Sequence, residues 1–157
     1  MDIRLYPEST GASTVKPRYV NGVLVIPGVP RQIRKRFAVA DLGTTATVAN
    51  QLFPALPGFG YRIVDAALIA VGGAVTTATS VDILGTKSGS ASRPLVAAQA
   101  ALTQSTLLRA GASNAVILAD GASFTKHDNN TALNLVRVGS AITVATHVDA
   151  LVTYVVE

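Results

Sequence analysis

The sequence predicts an all-β protein: an antiparallel β-sandwich or jelly-roll-like domain with an extended N-terminal arm and at most one short helix. Three observations carry this. Apolar and polar residues alternate with a period of two over many short segments. Clusters of Gly, Pro, Asn and Asp separate those segments. Only one stretch has a helix-forming composition. The 157 residues suit one domain with a modest extension. The reading divides them into an arm with a small hairpin over 1–31 and a sandwich over 32–157.

Taken in order, residues 1–17 contain Pro7, Gly11 and Pro17 with several Ser and Thr and no apolar periodicity. They read as an arm that is irregular in isolation. Asn21-Gly22, flanked by Tyr19-Val20 and Val23-Leu24-Val25-Ile26, is a strong hairpin signal. Residues 32–42 read as the first strand of the body, with Phe37 and Val39 on one side and Ala38, Ala40 and Leu42 on the other. Residues 43–60 read as a connection carrying three bulky side chains, Phe53, Leu56 and Phe59, that need an apolar seat. Residues 61–71 form a long strand with Val64, Ala66, Leu68 and Ala70 on one face, and 79–84 another with Val81 and Ile83 alternating. Ser92, Pro94 and the Ala-rich run after it predict a short helix over 93–103, with Leu95, Ala98 and Leu102 on its inner face. Four further strands are expected at 115–118, 133–138, 141–145 and 148–156. The last places Val148, Ala150, Val152, Tyr154 and Val156 on one buried face.

Composition narrows the function. Hydrophobic residues make up 49% and charged residues 14% of the chain, against about 25% charged in an average domain. A body with so little charge to cover itself is expected to meet another protein, a copy of itself or a scaffold. No apolar run approaches the roughly 20 residues of a spanning helix, so no membrane is expected. The absence of cysteine removes disulfides, thiolate metal sites and cysteine nucleophiles. There is no Trp, and only four Tyr and four Phe, so stacking platforms for bases or sugars are scarce.

Catalytic constellations are not legible, and the expectation is a non-enzyme without catalytic, cofactor or metal residues. No Ser lies in a Gly-x-Ser-x-Gly elbow. Glu occurs only at Glu8 and Glu157, and phosphate-loop and dinucleotide fingerprints are missing. His147 and Asp149 share a strand face about 7 Å apart, but no third ligand accompanies them. They read as a solvent-facing polar pair.

Charge is uneven. Residues 1–36 hold seven bases and two acids, net +5, and the rest of the chain six bases and seven acids, net −1. The cluster Arg31-Gln32-Ile33-Arg34-Lys35-Arg36 reads as an electrostatic contact to an acidic protein surface or as a charged strand edge that discourages strand addition. Phosphate contact is the sharper alternative. The lack of interleaved aromatics disfavours nucleic acid as a partner. Lys16, Arg18, Arg31, Arg34, Lys35 and Arg36 are the candidate contact residues.

The segments Ala40-Asp41-Leu42-Gly43, Tyr61-Arg62-Ile63-Val64-Asp65-Ala66, Val81-Asp82-Ile83, Ala119-Asp120-Gly121-Ala122-Ser123-Phe124 and Val152-Thr153-Tyr154-Val155-Val156 carry a resemblance. Over residues 37–157 the chain resembles the small decoration, or cement, proteins of tailed-bacteriophage heads. The resemblance implies a sandwich or jelly-roll body on the outer capsid surface, commonly a homotrimer, that stabilises the shell by bridging major capsid protein subunits. The basic arm lies outside the resemblance, and its role is read from charge alone. The alternative reading is a receptor- or carbohydrate-binding β-domain of a tail fibre or spike.

Overall fold

The computed structural model describes residues 17–118 and 122–157. The expected arm, and Lys16 with it, lies outside the described residues but for Pro17. Eleven strands follow in the described chain: β1 (Arg18–Val20), β2 (Val23–Val25), β3 (Arg31–Ala38), β4 (Gln51–Phe53), β5 (Tyr61–Val71), β6 (Ala78–Lys87), β7 (Ser90–Ala98), β8 (Leu107–Arg109), β9 (Ala115–Val116), β10 (Leu133–Gly139) and β11 (His147–Val156). β1 and β2 form the expected hairpin. Asn21 and Gly22 turn it with φ of 48° and 76°, the two positive angles that a type I′ turn requires.

The other strands form two antiparallel sheets packed as a sandwich, ordered β4-β10-β6-β7-β9 and β3-β11-β5-β8. Most connections cross from one sheet to the other. β11 lies between β3 and β5, and Val148, Ala150, Val152, Tyr154 and Val156 are all buried, as the alternation in the last strand predicts. The bulky residues of the 43–60 connection find their seat in this core. Phe53 stacks on Tyr61 at 4.9 Å between ring centroids and meets Tyr154 at 4.4 Å. Leu56 is fully buried. Tyr61 lies wholly in the core, and its hydroxyl donates to the Pro54 carbonyl at 2.6 Å, satisfying the one polar atom it carries inward. The hairpin shares the core through fully buried Val25 and is tied to the body by Gly28 N–H donating to Val156 C=O at 3.0 Å.

Several local expectations change. Residues 93–103 are not a helix. β7 runs to Ala98 and a 3-10 turn follows at Gln99–Ala101. Pro94 sits where Arg93 and Pro94 together oppose Leu84, between the pairs Ile83↔Leu95 and Gly85↔Ser92. That is a β-bulge on a stretch unpaired by β9, a place where proline removes no ladder bond. Pairing with β6 thus overrides the Ala-rich propensity. Val64 leaves the core face and is exposed, because Thr153↔Asp65 is followed by Tyr154↔Ile63 and leaves Val64 as the extra residue of a second bulge. The bulge switches the inward set from Tyr61 and Ile63 to Ala66, Leu68 and Ala70. Residues 39–41 turn as a 3-10 helix rather than continuing β3. Residues 141–145 are not a strand, and β8 is a strand that the alternation did not reveal.

Gly85 shows how tightly the core is filled. A Cβ there would strike the His127 ring and Leu133 Cδ2. His127 is itself buried. Its Nδ1 lies 3.3 Å from Tyr61 C=O, and its Nε2 has no hydrogen-bond partner. Burial holds its pKa below the ordinary 6.5.

Candidate interaction surface

The outward face of β3-β11-β5-β8 brings together two of the candidate contact residues, Arg34 and Arg36. Alternation puts Gln32, Arg34, Arg36 and Ala38 on this side of β3, because Phe37 and its even-spaced neighbours turn to the core. The register then generates cross-strand rows. One runs Arg34, Leu151, Ala67, Arg109, and the next Arg36, Asp149, Ile69, Leu107. The floor is apolar, made by Leu151, Ala67, Ile69 and Leu107, with arginines along both margins. Four strands at about 4.8 Å spacing and six residues of length give a face of roughly 400 Å². Near its centre Gln32, Asp65, Ala67, Leu107, Arg109 and Leu151 line a shallow hollow of about 180 Å³.

Asp149 organises one margin. Its side chain is fully buried, yet it lies on the outward side between Arg34 and Arg36. Arg36 Nε donates to Oδ1 at 2.6 Å and Arg36 Nη2 to Oδ2 at 2.9 Å, and Arg34 donates Nε at 3.1 Å and Nη2 to Oδ2. The bonds from Arg36, together with those and the charge of Arg34, hold its carboxyl at about 2 against the burial that would raise it. Arg34 and Arg36 keep side-chain exposures of 62% and 51%, so each guanidinium still faces outward while anchored at its base. Across the floor, Arg109 Nη2 pairs with Asp65 Oδ2 at 2.8 Å.

The remaining candidates are dispersed. Lys35 and Arg31 sit on the other side of β3 at the sandwich margin. Lys35 Nζ donates to Gln51 C=O and stands 5.2 Å from the Phe37 ring centroid, and Arg31 Nη1 donates to Leu24 C=O. Arg18 belongs to the hairpin, its guanidinium carbon 4.4 Å from the centroid of the Phe59 ring. The structure therefore joins Arg34 and Arg36 at one acid and does not bring Arg18, Arg31 or Lys35 to that place.

The pair His147 and Asp149 is corrected. Asp149 is not solvent-facing, its oxygens are committed to arginines, and His147 Nδ1 lies 3.0 Å from Thr146 Oγ1 instead. Among the described residues no three His, Asp or Glu side chains are grouped to hold a metal ion. The sequence reading missed Asp149 as the arginine anchor, and with it Arg109, Asp65 and Leu107. One signal was legible: an acid within Val148-Asp149-Ala150, a strand otherwise apolar, needs a cation when buried, and Arg34-x-Arg36 has the matching period of two.

Compared with known proteins, the chain matches no family model, no curated protein and no solved structure. Among the described residues no helix is long and apolar enough to cross a membrane.

Proposed function

We propose that the protein is a structural component of a virus particle: a decoration protein on the outer surface of a phage capsid, bridging major capsid protein subunits as a homotrimer, and not an enzyme. The observation that carries this reading is the outward face of the β3 sheet, an apolar floor with Arg34, Arg36 and Arg109 on its margins. Its chemistry suits broad contact with a protein surface, where area and shape set the fit and fixed charges set the register. The resemblance to cement proteins supports the same assignment.

The size of the face argues for multivalency. Roughly 400 Å² is about half of what one partner contributes to a standard stable interface. A single copy held by this face alone binds weakly, whereas three faces carried by one trimer act together. Light scattering at micromolar concentration is expected to give a trimer. Co-sedimentation with empty capsids of the virus that encodes the chain, beside a glycan array, tests the function. Binding to capsids supports it; binding to glycans without binding to capsids overturns it in favour of a tail-fibre or spike domain. Removing residues 1–17 is expected to leave the circular dichroism spectrum unchanged and to lower capsid occupancy sharply.

A further inference from the structure

We propose that the free edge of β3 is a strand-addition site for an extended acidic segment of a partner protein. This deepens the decoration reading by naming a surface that would meet the coat, and its test requires no capsid.

β3 is an edge strand of eight residues, paired with β11 through an unbroken register and, among the described residues, with no strand on its other side. The bond from Val39 N–H to Thr146 C=O continues that register. It makes the odd positions of β3 the ones that bond β11, so the backbone N–H and C=O groups of Gln32, Arg34 and Arg36 point to the open side. An unpaired row of this kind is a template for another chain.

The other described edges are blunted. β1, β2, β4 and β8 have three residues each and β9 has two. The stretch of β7 beyond β9 carries Pro94 and its bulge. β3 has neither proline nor bulge. Charge on an edge strand can itself block addition, but here the cations are engaged elsewhere. Arg34 and Arg36 are drawn over the sheet face by Asp149, Lys35 reaches Gln51 C=O, and Arg31 reaches Leu24 C=O.

The same cations select the occupant. Four of the six residues from Arg31 to Arg36 are basic, and among the described residues the one acid bonded to them is Asp149. A second copy paired β3 to β3 would set these cations against each other, and like charges directly opposite are destabilising. A guanidinium has five N–H donors. Arg34 and Arg36 each spend two on Asp149 and have three more to offer. An incoming strand with carboxylates at alternate positions would place them beside Arg34 and Arg36, on the side opposite Asp149.

Amide hydrogen exchange on the intact protein, followed by NMR, tests this with two blocked hexapeptides, Glu-Val-Glu-Val-Glu-Val and Lys-Val-Lys-Val-Lys-Val. In the free protein, the amides of Gln32, Arg34 and Arg36 are expected to exchange fast and those of Ile33 and Lys35 slowly. Millimolar Glu peptide should slow the first three by roughly tenfold or more, and the Lys peptide should not. Gln32→Pro, which removes an outward N–H and no bond to β11, should keep the thermal melt and lose the protection. No protection at these three amides with the Glu peptide overturns the proposal. So does equal protection by the Lys peptide, or full protection in a folded Gln32→Pro variant. Capsid binding that persists after such a failure leaves the decoration reading intact and assigns attachment to the sheet face.

Discussion

Each sheet buries one aspartate on its outward side, and the arginines around the two differ. Asp149 on β11 is held by both Arg34 and Arg36, with both oxygens accepting. Asp82 on β6 has Arg93 alone on Oδ2, and its buried Oδ1 has no partner. The first is a closed network that fixes two cations on the proposed contact face. The second is half satisfied, and its arginine serves one carboxylate oxygen only. The difference teaches that a buried acid in this sandwich is tolerated through arginines laid over it from neighbouring strands, and that the number of arginines sets what the acid contributes.

The largest expected effect comes from placing an acid where no arginine can reach. Val152 is fully buried and faces the core, three residues from Asp149 on the same strand. Val152→Asp is expected to abolish soluble folding, because an unpaired core charge is very costly; expression and a melting curve check it. A variant that melts like the parent would remove the assigned core. Next in size is removal of both arginines. Arg34→Ala with Arg36→Ala removes both cations bonded to Asp149 and opens its outward-side carboxylate to water, and is expected to destabilise by about 2–3 kcal/mol in urea unfolding.

Smaller effects separate the two aspartates directly. Asp149→Asn turns an amide N–H toward guanidinium donors and is expected to lose about 2 kcal/mol. Asp82→Asn keeps an oxygen for Arg93 and changes an atom that has no partner, so it should stay within about 1 kcal/mol. Equal losses at the two positions would break the comparison.

The acid limb of stability sharpens it further. Asp149 is held at about 2 against an ordinary 3.8. The unfolded chain therefore takes up this proton first, and the stabilisation is present above about pH 4 and lost as pH falls toward 2. Allowing for solvent screening at the exposed arginines, the loss is about 1–2 kcal/mol. Asp149→Asn should flatten that part of the melting profile. His127, buried and held below 6.5, acts in a different window: its contribution is full above 6.5 and declines as pH falls below it. Asp149→Asn should leave that upper decline unchanged.

The fold was legible wherever a strand obeys a period of two and its neighbours supply the partner. The last strand, the long strand at 61–71 and the Asn21-Gly22 turn were readable because each signal is local. Val64 and Pro94 were not, since a bulge is set by the opposing strand and has no mark within its own. The 93–103 segment was misread because Ala-rich composition favours a helix until β6 lies beside it. The short β8 carries too few residues to show alternation. Of the contact face, the basic cluster was visible and its organiser was not. Asp149 lies more than a hundred residues from Arg36 in the chain, and only antiparallel pairing brings them together.

The chain's lack of cysteine permits the most direct measurement of the proposed attachment. Leu107 lies on the floor of the proposed contact face and is 55% exposed, and Val48, on the loop alongside β10, is 86% exposed. Leu107→Cys and Val48→Cys each introduce a single thiol whose maleimide reaction rate can be followed on free protein and on decorated capsids. The account predicts that both react readily when free, and that on capsids reaction at position 107 is suppressed while that at 48 persists. Unchanged reactivity at 107 on fully occupied capsids would contradict it.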